Sequence, residues 1–307
     1  MTAAKSVVLG TRGSKLALVQ AESCAAKLRA QGMEVEVRVI KTTSEHHPDV
    51  PLSVIDQRDV FTRQLDEALL SGEIDLAVHS LKDIPTELPD GIVITAVTER
   101  HDPSDALVSD RRYNVDDLPA GAIVATSSLR RRAQLLHRRP DLRIAEIRGN
   151  VDTRIRKMRE GQADALVLAR AGLERLGLDA PHTAIPWVTM LPAVGQGALA
   201  AATLERHPLR QEIRAALGHG PTERATLAER AMLRTLEGGC RVPVGGQAVV
   251  EGDKVLLQGI VASPDGALMY KGEVEGEEPG AVGEQLAREL LGQGAAVILG
   301  EVREVRA

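Results

Sequence analysis

Ala122-Ile123-Val124-Ala125-Thr126-Ser127-Ser128-Leu129-Arg130-Arg131 is an apolar run, a hydroxyl-bearing turn and the start of a helix. It repeats the plan of Ser6-Val7-Val8-Leu9-Gly10-Thr11-Arg12-Gly13-Ser14. A short apolar run bounded by turn residues reads as a buried strand, and Ser or Thr ahead of a 3.6-residue apolar period reads as a helix N-cap. The elements downstream of the two copies come in the same order. After Ser14 come a helix over 15–30, an alternating strand over 34–41, a helix over 61–70 closed by Gly72, and a strand over 74–78. After Ser128 come a helix over 129–138, a strand over 142–147, a helix ending near Gly161, and a strand over 163–169. This alternation predicts α/β architecture, and the repeat predicts two related lobes facing a cleft, the usual place for a ligand. Helix N-termini after Gly10 and Ala125 would direct N–H groups, and the hydroxyls of Thr11, Ser14, Thr126 and Ser128, at an anion.

Pro192-Ala193-Val194-Gly195-Gln196-Gly197 interrupts the pattern, and residues 198–204 read as a return to the first lobe. Beyond Gly218-His219-Gly220-Pro221 the composition shifts to a helix over 222–236, three strands over 246–250, 254–262 and 267–274, a helix over 281–291 and a final strand over 295–299. The expected domains are therefore lobe 1 at 1–97 with 198–217, lobe 2 at 98–197, and a small α+β domain at 218–307.

The 307 residues carry 38 Lys and Arg against 43 Asp and Glu, a net charge of −5, and are 43% hydrophobic, which excludes wholesale disorder. Phe61, Tyr113, Trp187 and Tyr270 are the entire aromatic set, so base- or sugar-stacking platforms are not expected. Two cysteines, Cys24 and Cys240, make neither a disulfide framework nor a cysteine-rich zinc site, which fits a reducing compartment. With no signal-peptide h-region and no long apolar run, the expectation is a cytoplasmic protein without membrane or metal.

Charge is concentrated. Between Thr126 and Arg159 stand eleven basic residues and three acidic ones, a net +8 that leaves −13 for the remainder. Such a run is often only a solvated helix face. Arginine dominates it, however, and a guanidinium fork suits carboxylate or phosphate. The acidic remainder and the missing aromatics point to a small polyanion rather than nucleic acid.

Cys240 lies in Glu237-Gly238-Gly239-Cys240-Arg241-Val242-Pro243, a stretch fit only for a turn or loop, where a nucleophile or attachment point and simple packing are both open readings. Cys24, inside a helix, reads as core packing. His79 reads as structural, and His46-His47 beside Glu45 and Asp49 is a weak metal pattern. Asp83 follows a strand at the end where α/β sheets hold ligands, although a surface pair with Lys82 is an equal alternative. Arg12, Arg130, Arg131, Arg148, Arg154 and Arg175 fall just after strands or in first helical turns.

Thr11-Arg12-Gly13-Ser14, His79-Ser80-Leu81-Lys82-Asp83-Ile84-Pro85, Thr126-Ser127-Ser128-Leu129-Arg130-Arg131, Arg148-Gly149-Asn150, Leu191 to Gly197 and Glu237-Gly238-Gly239-Cys240 occur in the order of the hydroxymethylbilane synthase (porphobilinogen deaminase) family, which the whole chain resembles. The resemblance implies two periplasmic-binding-protein-like lobes flanking a cleft plus a small α+β C-terminal domain. It implies a transferase that joins four porphobilinogen molecules head to tail, with loss of ammonia, into hydroxymethylbilane. It further implies a dipyrromethane cofactor bound through a thioether to Cys240, and Asp83 as the catalytic acid that steadies an azafulvenium cation.

By the same resemblance Lys82, Ser80, Thr126, Ser128, Arg130, Arg131 and Arg154 bind the cofactor, and Arg12, Ser14, Arg148 and Arg175 bind substrate. Each pyrrole brings an acetate and a propionate, so a growing chain in one pocket needs cationic compensation. A monomer is expected, with hinges near 97–99 and 197–200. One segment departs from the family: Ser44-Glu45 and Ile55-Asp56-Gln57-Arg58-Asp59-Val60 lack the usual glycines, which predicts altered lid behaviour or turnover. Two other readings are a non-catalytic two-lobed anion binder, which would need neither Asp83 nor Cys240, and a paralogue drifted in activity.

Overall fold

Val7 and Leu9 are fully buried while Lys5 and Ser6 are exposed, so the first apolar run forms a strand as its pattern requires. The computed structural model describes residues 5–41, 62–236 and 243–304, with side chains to 301. Cys240, Phe61 and the glycine-free segment 44–60 lie outside the described residues. In chain order the strands of the two larger sheets are β1 (Lys5–Thr11), β2 (Met33–Val39), β3 (Leu76–Ser80), β4 (Ile92–Val97), β5 (Asp105–Val108), β6 (Ile123–Ala125), β7 (Arg143–Ala145), β8 (Ala165–Ala169), β9 (His182–Ala184) and β10 (Leu199–Leu204). The helices among them are α1 (Lys15–Ala30), α2 (Arg63–Leu70), α3 (Leu129–Arg138), α4 (Val151–Lys157), α5 (Arg170–Leu176), α6 (Arg210–Leu217) and α7 (Gly220–Thr235).

The chain divides into two compact units, Met1–His101 with Ala198–Glu223, and Asp102–Gly197 with Arg224–Ala307. In the first, the sheet order is β2-β1-β3-β10-β4, with β1 parallel to β2 and β3, and β10 antiparallel to β3 and β4. In the second it is β7-β6-β8-β5-β9, with β6 parallel to β7 and β8, and β5 antiparallel to β8 and β9. The order and senses are identical, so the repeat read in the sequence is a repeat of topology. The first sheet is completed by a strand from beyond its own run, β10, which follows the second sheet in the chain, whereas the equivalent strand of the second sheet, β5, simply comes first in its own run. The sequence reading named no strand at β4, β5 or β9.

α1 lays Ala21, Cys24, Ala25 and Leu28 against Val7, Leu9, Leu76 and Val78. Burying each large aliphatic side chain there contributes roughly 1.5–3 kcal/mol. Cys24 is thus a core residue. The second sheet is covered on both faces, by Ile155, Met158 and Leu173 among others on one and by Leu135, Ile185 and Met190 on the other.

Also in the second unit is an antiparallel meander of β11 (Val244–Glu251), β12 (Lys254–Ala262) and β13 (Met269–Gly276), packed with α7 and α8 (Pro279–Leu290) around Met232, Leu257 and Leu286. The predicted final strand over 295–299 is instead part of a helix, α9 (Ala296–Glu304). Gly294, at φ +121°, breaks the preceding helix, and Ala295, Ile298 and Leu299 are buried while Val297 is 61% exposed. That spacing is helical, and the β-branched Val297-Ile298 pair concealed it.

Candidate active site

β3 ends at Ser80, and residues Leu81–Asp83 form one 3₁₀ turn. The turn is fixed by buried Leu81 and Ile84, by Leu81 N–H donating to Ala198 C=O at 3.0 Å, and by Ile84 N–H donating to Leu81 C=O at 3.1 Å. Asp83 therefore stands just beyond the carboxyl end of a parallel strand. It is half-buried, and among the described residues no donor hydrogen-bonds its carboxylate.

Around it, Gln20 of α1 donates through Nε2 to Ser80 Oγ at 2.9 Å, and Ser14 caps α1 by accepting from Ala17 N–H at 3.3 Å. No acidic residue occupies the first turn of α1. Thr11 does not serve an anion: it is fully buried and its hydroxyl donates to Ala17 C=O at 3.1 Å. His79 is buried, and burial together with the Arg12 charge lowers its pKa to about 4, so it stays a neutral structural imidazole near neutral pH. Arg12 and Lys82 belong to the same unit, with Lys82 half-buried inside the 3₁₀ turn.

In the second unit Ser128 caps α3, accepting from Arg131 N–H at 3.4 Å, and Thr126 accepts Ser128 N–H at 3.2 Å. Both hydroxyls accept in these bonds, which leaves their protons to donate. Arg130 and Arg131, in the first turn of that helix, are only 5% and 8% exposed and both meet Asp105, which is fully buried. Arg130 Nη2 lies 2.8 Å from Asp105 Oδ2, while Arg131 donates to Oδ1 through Nη2 at 2.8 Å and Nε at 3.0 Å. Burial alone would raise the Asp105 pKa, but the two guanidiniums and the bonds from Arg131 and Gln196 outweigh it and hold the carboxyl well below the usual range. The family resemblance implies that Arg130 and Arg131 bind cofactor; the structure pairs both with an internal carboxylate.

Arg154, on α4, is half-buried and donates through Nε to Gly149 C=O at 2.7 Å. Its pKa is drawn down by burial and by the charge of Arg131, and among the described residues no carboxylate pairs with it. Gly149 sits at φ +112°, and a Cβ there would meet Thr153 Cγ2 at 2.8 Å, so the turn that aims Arg148 and Arg154 requires glycine. Arg148 lies 3.8 Å from exposed Glu146, and Arg175 donates to Gly197 C=O at 2.6 Å.

Much of the basic band serves the surface: Arg138 pairs with Asp116, Arg139 with Asp141, Arg156 with Glu160 and Arg159 with Asp110. Sequence reasoning missed Asp105 and the Gln20 partner of Ser80. The only local signal at Asp105 is a carboxylate leading directly into the apolar Ala106-Leu107-Val108.

A family model described as porphobilinogen deaminase, dipyromethane cofactor binding domain, matches residues 7–212, and one for the porphobilinogen deaminase C-terminal domain matches residues 224–292. The porphobilinogen deaminase of Rubrobacter xylanophilus is 68% identical over 98% of both chains. That of Desulforudis audaxviator is 47% identical over 97% of this chain and 98% of its own. A periplasmic substrate-binding protein of an ABC transporter from Coxiella burnetii is 17% identical over 73% of this chain and 94% of its own, with a TM-score of 0.43. With both family models covering nearly its full length and relatives matching it end to end, the chain belongs to the porphobilinogen deaminase family.

Proposed function

We propose that this chain is a hydroxymethylbilane-forming transferase that condenses four porphobilinogen molecules head to tail, with release of ammonia, on a dipyrromethane held by Cys240. The observation that carries this reading is the excess of guanidinium in the second unit: two buried arginines share one carboxylate, and Arg154 adds charge beside Arg131. A cationic cluster of that kind fits a group bearing acetate and propionate side chains, since buried charge demands a counter-charge. Thr126, Ser128, Arg130, Arg131 and Arg154 would hold the dipyrromethane, with Ser80 and Lys82 of the first unit. When bound, that group supplies the pyrrole carbon from which the product grows.

Arg12, Ser14, Arg148 and Arg175 orient the carboxylates of the incoming porphobilinogen. Asp83, free of other hydrogen bonds among the described residues, faces the positive charge that develops as the amino group departs. Its carboxylate also accepts and returns protons at the reacting pyrrole. We infer a monomer working in the cytoplasm on a free small molecule, without nucleic acid or membrane. The net −13 outside the basic band supports the absence of nucleic acid.

The test is the intact mass of the full chain purified from a host that makes tetrapyrroles. Parent protein should exceed its amino-acid mass by one dipyrromethane, and Cys240→Ser should not. A parent that weighs only its amino acids refutes the proposal.

A further inference from the structure

We propose that Asp105 is a positioning residue: it fixes the guanidiniums of Arg130 and Arg131 in the geometry that receives a carboxylate of the dipyrromethane, an inference that rests on the function proposed above. Each guanidinium is held at two separate points. Arg130 reaches Asp105 and, through Nη1, Leu191 C=O at 2.6 Å; Arg131 reaches Asp105 and, through Nη1, Val167 C=O at 3.0 Å. Neither fork can turn without breaking a buried bond. One carboxylate against two guanidiniums leaves a single unit of positive charge, which one further anion would complete.

Asp105 is itself clamped. Gln196 Nε2 donates to its Oδ1 at 2.9 Å and to Pro103 C=O at 2.7 Å. The neighbouring Gly195 N–H donates to Glu229 Oε2 at 2.8 Å, and Ala248 N–H donates to Glu229 Oε1 at 2.8 Å. Glu229 lies on α7 and Ala248 on β11, the elements that precede and follow Cys240 in the chain. The network that sets the arginine pair is therefore braced by the same elements that flank the attachment cysteine.

Asp105→Asn, Asp105→Glu and Leu107→Ala, made in the full chain, test this by intact mass and thermal melting. Leu107 is a fully buried apolar residue on the same strand and controls for lost stability. Asp105→Asn should lower the cofactor-bearing fraction about tenfold, the scale of loss that misplaced binding groups produce. Asp105→Glu, which keeps the charge, should recover loading above the Asn variant, and Leu107→Ala should load as the parent does. Parent-level loading in Asp105→Asn overturns the inference, as does an equal loss in Leu107→Ala. If Asp105→Asn fails to fold, Gln196→Leu decides: reduced loading supports the positioning role, and parent-level loading overturns it. A parent without adduct would sink the proposed function itself, whereas a loaded parent with loaded variants sinks only this inference.

Discussion

His79 is buried with the Arg12 charge acting on it, and its pKa falls from 6.5 in the unfolded chain to about 4. Because the unfolded state binds the proton more readily, the neutral imidazole contributes stability that is fully present above pH 6.5 and is lost as the pH falls through about 4. The effect amounts to roughly 3 kcal/mol at most. Replacing His79 with Gln should flatten the decline in melting temperature across that window; a decline as steep as the parent's would mean that other groups set it.

Residues whose roles are local were readable. Ser14 and Ser128 cap their helices because a hydroxyl before an apolar period serves N–H groups only three residues on. Asp105 was not readable, because its partners Arg131 and Gln196 are 26 and 91 positions away and only the fold brings them together.

Elements followed the same division. β1, α1, β6 and α3 announce themselves through short apolar runs and the N-cap hydroxyls of Ser14 and Ser128. α9 does not, since Val297 and Ile298 favour a strand by propensity while burial of Ala295, Ile298 and Leu299 makes the helix. Ile298→Ala should cost about 2–4 kcal/mol in denaturant unfolding, as cavity-forming core changes do. Val297→Lys should change stability by no more than about 0.5 kcal/mol. Equal losses at both positions would contradict the helical assignment.

At the scale of the whole molecule, the duplicated strand order was foreshadowed by the repeated strand–turn–helix pattern, but the pair of equivalent antiparallel strands, β10 and β5, was only half visible. Residues 198–204 read as a return, whereas the four-residue β5 is too short to show a period. The proposed roles divide between the units: Asp83 falls in one, and Arg130, Arg131, Arg154 and Cys240 in the other. A fragment carrying one unit alone therefore lacks either the proposed catalytic acid or the proposed attachment cysteine. The central claim is that the Asp83 carboxylate steadies a developing pyrrole cation. A unit charge about 4 Å away at an effective dielectric near 20 is worth roughly 4 kcal/mol, about a thousandfold in rate. The decisive measurement is ammonia release from porphobilinogen by Asp83→Asn, counted per cofactor-bearing molecule. A fall of about a thousandfold with an unchanged melting temperature is predicted, and a rate close to the parent's would contradict the claim.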